Sequence, residues 1–184
     1  MPIQTPICDF GQRAHDFELK STNNKIISLN DIKGENGTLI MFICNHCPYV
    51  KAVTNDIVED CNELKKIGIN SVAICANDAE NYPEDSFDNM IKFAKKNQFS
   101  FPYLLDETQE IAKTYNAVCT PDFFGYNKDL QLQYRGRLRE LKNLVPVRDG
   151  ESDLSKAMKL ISQTNKGPEK QIASAGCSIK WIKN

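Results

Sequence analysis

A mixed β-sheet flanked by helices, an α/β fold, is the class this 184-residue sequence predicts. Two short runs, Leu39-Ile40-Met41-Phe42-Ile43 and Ser71-Val72-Ala73-Ile74-Cys75, are almost continuously apolar, as suits strands buried on both faces of a sheet. Between them Val50, Val53, Ile57, Cys61 and Leu64 recur at steps of three or four, the spacing of one helical face. The order strand, helix, strand then repeats downstream, which builds a layered domain.

Each element has a local reason. The first helix opens at Pro48, whose missing N–H costs nothing in a first turn. A second helix carries Phe87, Met90, Ile91 and Ala94 on one face and leads through Pro102 into a strand at Tyr103-Leu104-Leu105. A short helix from Ile111 to Tyr115 follows. The segment from Phe123 to Tyr134 reads as a hairpin turning at Asn127-Lys128-Asp129, with Leu130, Leu132 and Tyr134 on one face. Leu154, Ala157, Met158 and Ile161 mark a last helix. Asn165 to Lys170 is a soft boundary; beyond it Cys177, Ile179 and Trp181 alternate like an edge strand or a docked tail, with a carrier for a distant resolving thiol as the second reading. The polar stretch Asn77 to Asp85 either lines a substrate groove or caps the next helix through Asp85 or Ser86.

The bulk numbers exclude several functions. A chain of this length buries roughly 70% of its unfolded surface, so one core is the expectation. With 41% hydrophobic and 26% charged residues and a formal charge of -1, it has no field that would hold nucleic acid or anionic lipid. No apolar run is long enough for a signal peptide or a membrane span, so a cytoplasmic protein is expected. Seven cysteines, an odd number, then read as thiols and not as a set of structural bridges.

Two of those thiols stand out, in Cys44-Asn45-His46-Cys47-Pro48. They follow a buried strand and precede a helix start, where unpaired N–H groups and the helix dipole favour thiolate. Cys47 sits at that junction, and His46 and Lys51 would lower its pKa further if they faced the sulfur. Lowering a thiol from ~8.5 to ~6.5 raises its thiolate fraction near neutral pH by roughly tenfold while nucleophilicity falls by nearly as much. The gain is in leaving-group quality, which suits reversible disulfide exchange. Cys61 and Cys75, on apolar elements, read as inert core.

With the cysteine pair ending a buried strand and Thr120-Pro121 preceding the hairpin, the sequence resembles the thioredoxin superfamily, in which that proline is cis and lies against the active-site sulfur. His15 to Leu19 with Ser28 to Asp31 resembles the N-terminal hairpin of the alkyl hydroperoxide reductase and thiol-specific antioxidant branch. Asn77 to Asp85, Cys119 to Phe124, Tyr134 to Arg137 and Gly176 to Trp181 match the peroxiredoxin-like thioredoxin-family proteins. The resemblance implies a thioredoxin-like domain over 1–165, its N-terminal hairpin within 1–36, and a C-terminal tail, 166–184, docked on it.

Three departures bear on chemistry. Peroxiredoxins place Thr or Ser three residues before the peroxide-attacking Cys, a Pro shortly before that, and an Arg ahead of the hairpin. Here Cys44 takes the Thr position relative to Cys47, and no Pro lies between Thr38 and Ile43 and no Arg between Tyr115 and Pro121. Register is the second: Cys47-Pro48-Tyr49-Val50 and Cys44-Asn45-His46-Cys47 both align with the two-cysteine motif, and the helix start at Pro48 favours Cys47 as the nucleophile. The third is Cys119, a possible resolving thiol.

The expected activity is thiol-disulfide exchange: Cys47 attacks, Cys44 or Cys119 resolves, and Thr120-Pro121 offers backbone to the substrate, a protein or small-molecule disulfide. Electrons would come from an external thiol reductant of the thioredoxin or glutathione type, with no bound cofactor or metal. A monomer or weak homodimer is expected. A thiol peroxidase is the alternative. Less favoured is a soft-metal site on Cys44, His46, Cys47 and Cys119, after the copper chaperones of the Sco type.

Overall fold

The computed structural model describes residues 1–184. In chain order, β1 (Ile3–Gln4) and the hairpin of β2 (Glu18–Ser21) and β3 (Ile26–Ser28) precede α1 (Leu29–Ile32) and β4 (Gly37–Phe42). Then come α2 (Pro48–Lys51), α3 (Thr54–Lys65), β5 (Ile69–Cys75), α4 (Phe87–Lys96) and β6 (Tyr103–Leu105). After α5 (Glu110–Thr114) follow β7 (Cys119–Thr120), β8 (Asp122–Tyr126) and β9 (Leu132–Tyr134). A small hairpin, β10 (Leu141–Lys142) and β11 (Val145–Pro146), leads to α6 (Asp153–Thr164) and β12 (Ala175–Ser178).

The two apolar runs form the centre, as predicted. β4 and β5 lie parallel with Ile40 opposite Val72 and Phe42 opposite Ile74, in a seven-stranded mixed sheet of order β3-β2-β6-β5-β4-β8-β9. Both faces are covered. Leu39, Met41 and Ile43 pack under Ile57 and Leu64 of α3 and Leu154, Met158 and Ile161 of α6. Ile40 and Phe42 point the other way, against Leu29, Ile32, Ala112 and Tyr115. Each such side chain contributes about 1.5–3 kcal/mol on burial, which is why these strands carry no polar alternation.

Three expectations on local structure need correction. The helix after Pro48 is two helices: Val53 leaves helical geometry (φ -118°, ψ 6°), and the Thr54 hydroxyl donates to the Val50 carbonyl at 2.8 Å. A Ser or Thr hydroxyl bonded back to i−4 bends a helix, and β-branched Val53 and Thr54 make the site prone to it. In the hairpin, a bulge between Gly125 and Tyr126 sends Leu132 and Tyr134 to opposite faces of the sheet. In the tail, β12 ends at Ser178; Cys177 packs with one core layer, Ile179 with the other, and Trp181 is exposed. Ser86 caps α4, accepting from the Asn89 amide; Asp85 turns inward instead.

A second, smaller sheet, β1-β12-β7, lies where the chain turns into β8. The Thr120–Pro121 peptide between β7 and β8 is cis. The turn is held by the buried Asp122, which accepts from the Val118 amide at 3.1 Å and from Arg135 at 2.9 Å. Arg135 also donates to the Asn116 carbonyl and lies over the Phe124 ring. Burial pushes the Asp122 carboxyl up and Arg135 opposes it. Removing one partner of such a pair costs about 3–5 kcal/mol, so Arg135→Leu should lower unfolding free energy in urea by about that amount near neutral pH. With Asp122 raised further, the folded variant takes up a proton at higher pH than the unfolded chain, so the deficit should shrink as pH falls.

Candidate functional site

The site is the loop from β4 to α2. Ile43 extends the parallel ladder by one bond, its amide donating to the Ile74 carbonyl at 3.0 Å, and the chain then turns. The turn is strapped to one buried carboxylate. Asp85 accepts from the Asn45 amide at 2.8 Å and the Asn77 side chain at 2.8 Å, and lies 2.6 Å from Nδ1 of His46. Asn45 also accepts from the Tyr103 hydroxyl at 2.8 Å and donates to the Glu84 carbonyl at 3.1 Å. The polar stretch Asn77 to Asp85 thus braces the cysteine loop from below.

The strap extends to the C-terminal segment. Asn77 accepts from the Lys180 amide, the Asp78 amide donates to the Lys180 carbonyl, and Gln109 bonds both Lys180 and Ile182.

Both cysteines of the pair are buried, Cys44 at 1% and Cys47 at 0% exposure. Cys47 immediately precedes α2, yet its sulfur makes no hydrogen bond to the helix amides. It donates to the Thr120 carbonyl at 3.2 Å, and the Thr120 hydroxyl lies 3.5 Å from the Cys44 sulfur. The Cys47 thiol is drawn well below the ordinary thiol range, chiefly by hydrogen bonding from Cys44, against the effect of burial. Cys44 is pushed above it by the same bond, by burial and by the Asp85 charge. Of the two sulfurs Cys47 is therefore the one that ionises first, and as a thiol it is the one that donates to Thr120. The origin of that order is a partner thiol and not the helix start.

The remaining candidates fall into place around this pair. His46 pairs with Asp85 and stacks on Tyr82, and its donor atom lies within 4.8 Å of those of Cys44 and Asp85. It belongs with Cys44, not with the Cys47 charge, and Lys51 is exposed. Cys44, His46 and Asp85 are the trio that would hold a cation, but the Asp85 oxygens are already taken by Asn45, Asn77 and His46. Cys119 is buried, donates to the Pro121 carbonyl at 3.6 Å, and is raised by burial. Thr120 and Pro121 do stand beside the sulfurs, but the free backbone expected for a substrate is taken: β12 pairs with β7, Cys177 opposite Thr120 and Ser178 opposite Cys119.

Two residues of the site carry more than their sequence reading gave them, Asp85 and Cys177, the second of which figured there only as a less favoured resolving thiol. Asp85 was weighed only as a helix cap or groove wall. Cys177 is half-buried, and its side chain is a polar neighbour of the Cys47 sulfur. The signal for Cys177 was the run of small residues Ala173-Ser174-Ala175-Gly176 ahead of it, which permits close backbone approach.

The family model described as AhpC/TSA family matches residues 10–140, from before β2 to the start of β10, and includes Cys44, Cys47 and Thr120-Pro121. The chain belongs to the AhpC/TSA family. The match stops short of β12, so Cys177 lies outside it. This AhpC/TSA protein is 40% identical to an uncharacterized conserved protein from Geobacillus kaustophilus, with a TM-score of 0.95 over 100% of this chain and 98% of that one. It shares the thioredoxin fold with a thiol:disulfide interchange protein of the thioredoxin family from Chlorobium tepidum TLS, at a TM-score of 0.64 and 16% identity over 83% of this chain and 97% of that one.

It is also 28% identical over 125 residues, 66% of its length, to the thiol-disulfide oxidoreductase ResA of Bacillus thuringiensis subsp. konkukian (strain 97-27). The chain spans 65% of the length of the curated relatives it matches.

Replacing Asp85 leaves the Asn45 amide and the Asn77 amide group without their acceptor and removes the carboxylate beside His46. Asp85→Ala should destabilise the fold by ~3 kcal/mol in urea unfolding, with Asp85→Asn, which keeps one acceptor oxygen, between it and wild type. Hydrogen exchange at the Asn45 amide should rise in both. Unchanged protection there would show that Asp85 does not hold the loop.

Proposed function

We propose that this protein is a thiol-disulfide oxidoreductase in which Cys47 is the attacking and leaving sulfur and Cys44 its partner. The observation that carries this is the placing of both sulfurs on Thr120, Cys47 3.2 Å from its carbonyl oxygen and Cys44 3.5 Å from its hydroxyl, with the Cys47 thiol drawn down and Cys44 pushed up. A thiolate of depressed pKa leaves a mixed disulfide readily, while a raised partner, once deprotonated, is the stronger nucleophile. That asymmetry fits a dithiol that is oxidised and reduced in alternation. The likeness to ResA supports the same chemistry.

The balance is simple. The Cys47 thiolate bonds to one sulfur of a disulfide and the other substrate sulfur departs as thiolate, which takes up a proton from solvent. Cys44 gives up its proton and attacks Cys47, a Cys44–Cys47 bond forms, and the second substrate thiol is released. Two electrons leave the protein for each disulfide reduced. The substrate is a protein or small-molecule disulfide, and an external thiol of the thioredoxin or glutathione class restores the pair. We place this cycle in the cytoplasm, where a chain with an odd number of cysteines stays reduced.

Thiol peroxidase chemistry is less well served. The one buried arginine, Arg135, is committed to Asp122 and the Asn116 carbonyl.

Reduced protein should therefore consume one equivalent of a small aromatic disulfide per chain, and Cys47→Ser should abolish the reaction. Because the Cys47 thiol is drawn well below its ordinary range, the rate should vary by less than about twofold between about pH 6 and 8, where an unperturbed thiol gains roughly tenfold per unit. Hydrogen peroxide should remove thiols no faster than it oxidises a free thiol; a much faster rate would move the assignment to a peroxidase.

A further inference from the structure

We propose that Cys177 is the port of this site: the buried pair exchanges electrons with external thiols by way of a Cys47–Cys177 disulfide. The inference rests on the oxidoreductase reading above and names the route by which that site is reached.

Access is the problem it solves. Neither Cys44 nor Cys47 has exposed surface to offer a substrate, whereas Cys177 is half-buried. Cys177 stands opposite Thr120 in an antiparallel ladder, where partner Cα atoms lie about 4.5–5.5 Å apart. The carbonyl of that same Thr120 accepts from Cys47 at 3.2 Å. The Cys177 side chain packs on the core layer that contains Cys47, and α2 packs on β12.

The strand is seated to stay. A Cβ at Gly176 would lie 1.9 Å from the Thr120 carbonyl oxygen, so only glycine allows β12 this close. On its other side Ile3 of β1 pairs with Gly176, and Ser174 donates to the Pro121 carbonyl at 2.8 Å. Beyond it, Lys180 is tied to Asn77 and Asp78. With β12 fixed at both ends, the chain's own strand fills the backbone edge at Cys119 and Thr120 and carries Cys177 to the residue that both sulfurs of the pair touch.

The chemistry follows from which sulfur is reachable and which leaves. An external thiolate attacks the Cys177 sulfur of the Cys47–Cys177 disulfide; a Cys177–external bond forms and Cys47 departs as thiolate. A second external thiolate attacks the external sulfur of that mixed disulfide, releasing the external disulfide and the Cys177 thiolate, which takes up a proton. Two external thiols are oxidised and one protein disulfide is reduced, and the reverse sequence oxidises the protein. Cys44, on losing its proton, attacks Cys47 and expels Cys177, which takes that proton. This converts the port disulfide to the buried Cys44–Cys47 form with no net electron transfer. Cys177 is raised to about 11 by burial and by Cys47, which leaves Cys47 the better leaving group of the two.

The test uses the full chain, oxidised and reduced glutathione, acid quenching, alkylation and peptide mapping. In Cys44→Ser, which cannot rearrange, oxidised glutathione should yield a Cys47–Cys177 bridge as the main product. In Cys177→Ser, the glutathione-driven formation and reduction of the Cys44–Cys47 bridge should slow by at least roughly tenfold. Cys8→Ser, which removes the other half-buried thiol, should keep the wild-type rate. A bridge to Cys119 in place of Cys177, no bridge in Cys44→Ser, or wild-type rates in Cys177→Ser would each overturn the port while leaving the oxidoreductase reading intact. Absence of any exchange in wild type would overturn both. Mapping in Cys44→Ser does not depend on whether Cys177→Ser folds.

Discussion

The carboxylate of Asp85 is the constraint on which this site depends. A buried charge is tolerated only where donors replace its lost water, and here Asn45 and Asn77 supply them while the His46 ring lies against the same carboxylate. Each donor belongs to a different task. Asn45 shapes the cysteine loop, Asn77 anchors the C-terminal segment through Lys180, and His46 closes the near side against Tyr82. One acidic group thereby couples the end of β4, the start of α4 and the chain terminus.

The same charge bears on the sulfurs. Two thiolates in contact at about 4 Å would repel by ~4 kcal/mol at a dielectric of about 20, some three pKa units. The pair therefore holds one proton over a wide range of pH, and Asp85, acting on Cys44, helps decide which sulfur keeps it. Electrostatics of this kind needs no histidine beside the nucleophile and no cap from the short α2.

The small sheet β1-β12-β7 gives the molecule an arrangement that its family model does not cover, since residues 10–140 omit two of its three strands. The segments near both chain ends meet over the cysteine pair, and the edge beside Pro121 is filled from within. The sulfurs are shielded, and the strand that shields them carries a sulfur of its own.

Much of this was legible in the chain. The doubly buried strands, the helices at three-and-four spacing and the Cys44-to-Pro48 junction follow from short-range pattern, because a strand buried on both faces is apolar throughout and a helical face repeats every 3.6 residues. What local pattern could not supply was the partner of each polar group. The break at Val53, the bulge that parts Leu132 from Tyr134 and the inward turn of Asp85 each depend on neighbours across the fold. Sequence by itself determined the sheet, the loop that bears the chemistry and the residue types in it. Only tertiary structure decided that Cys44 and not the helix start sets the charge on Cys47, and that Cys177 rather than a free backbone edge faces it. The first turns on a loop shaped by Asp85 from 40 positions away and the second on contacts 73 and 130 positions apart, distances over which register and packing, not propensity, bring atoms together.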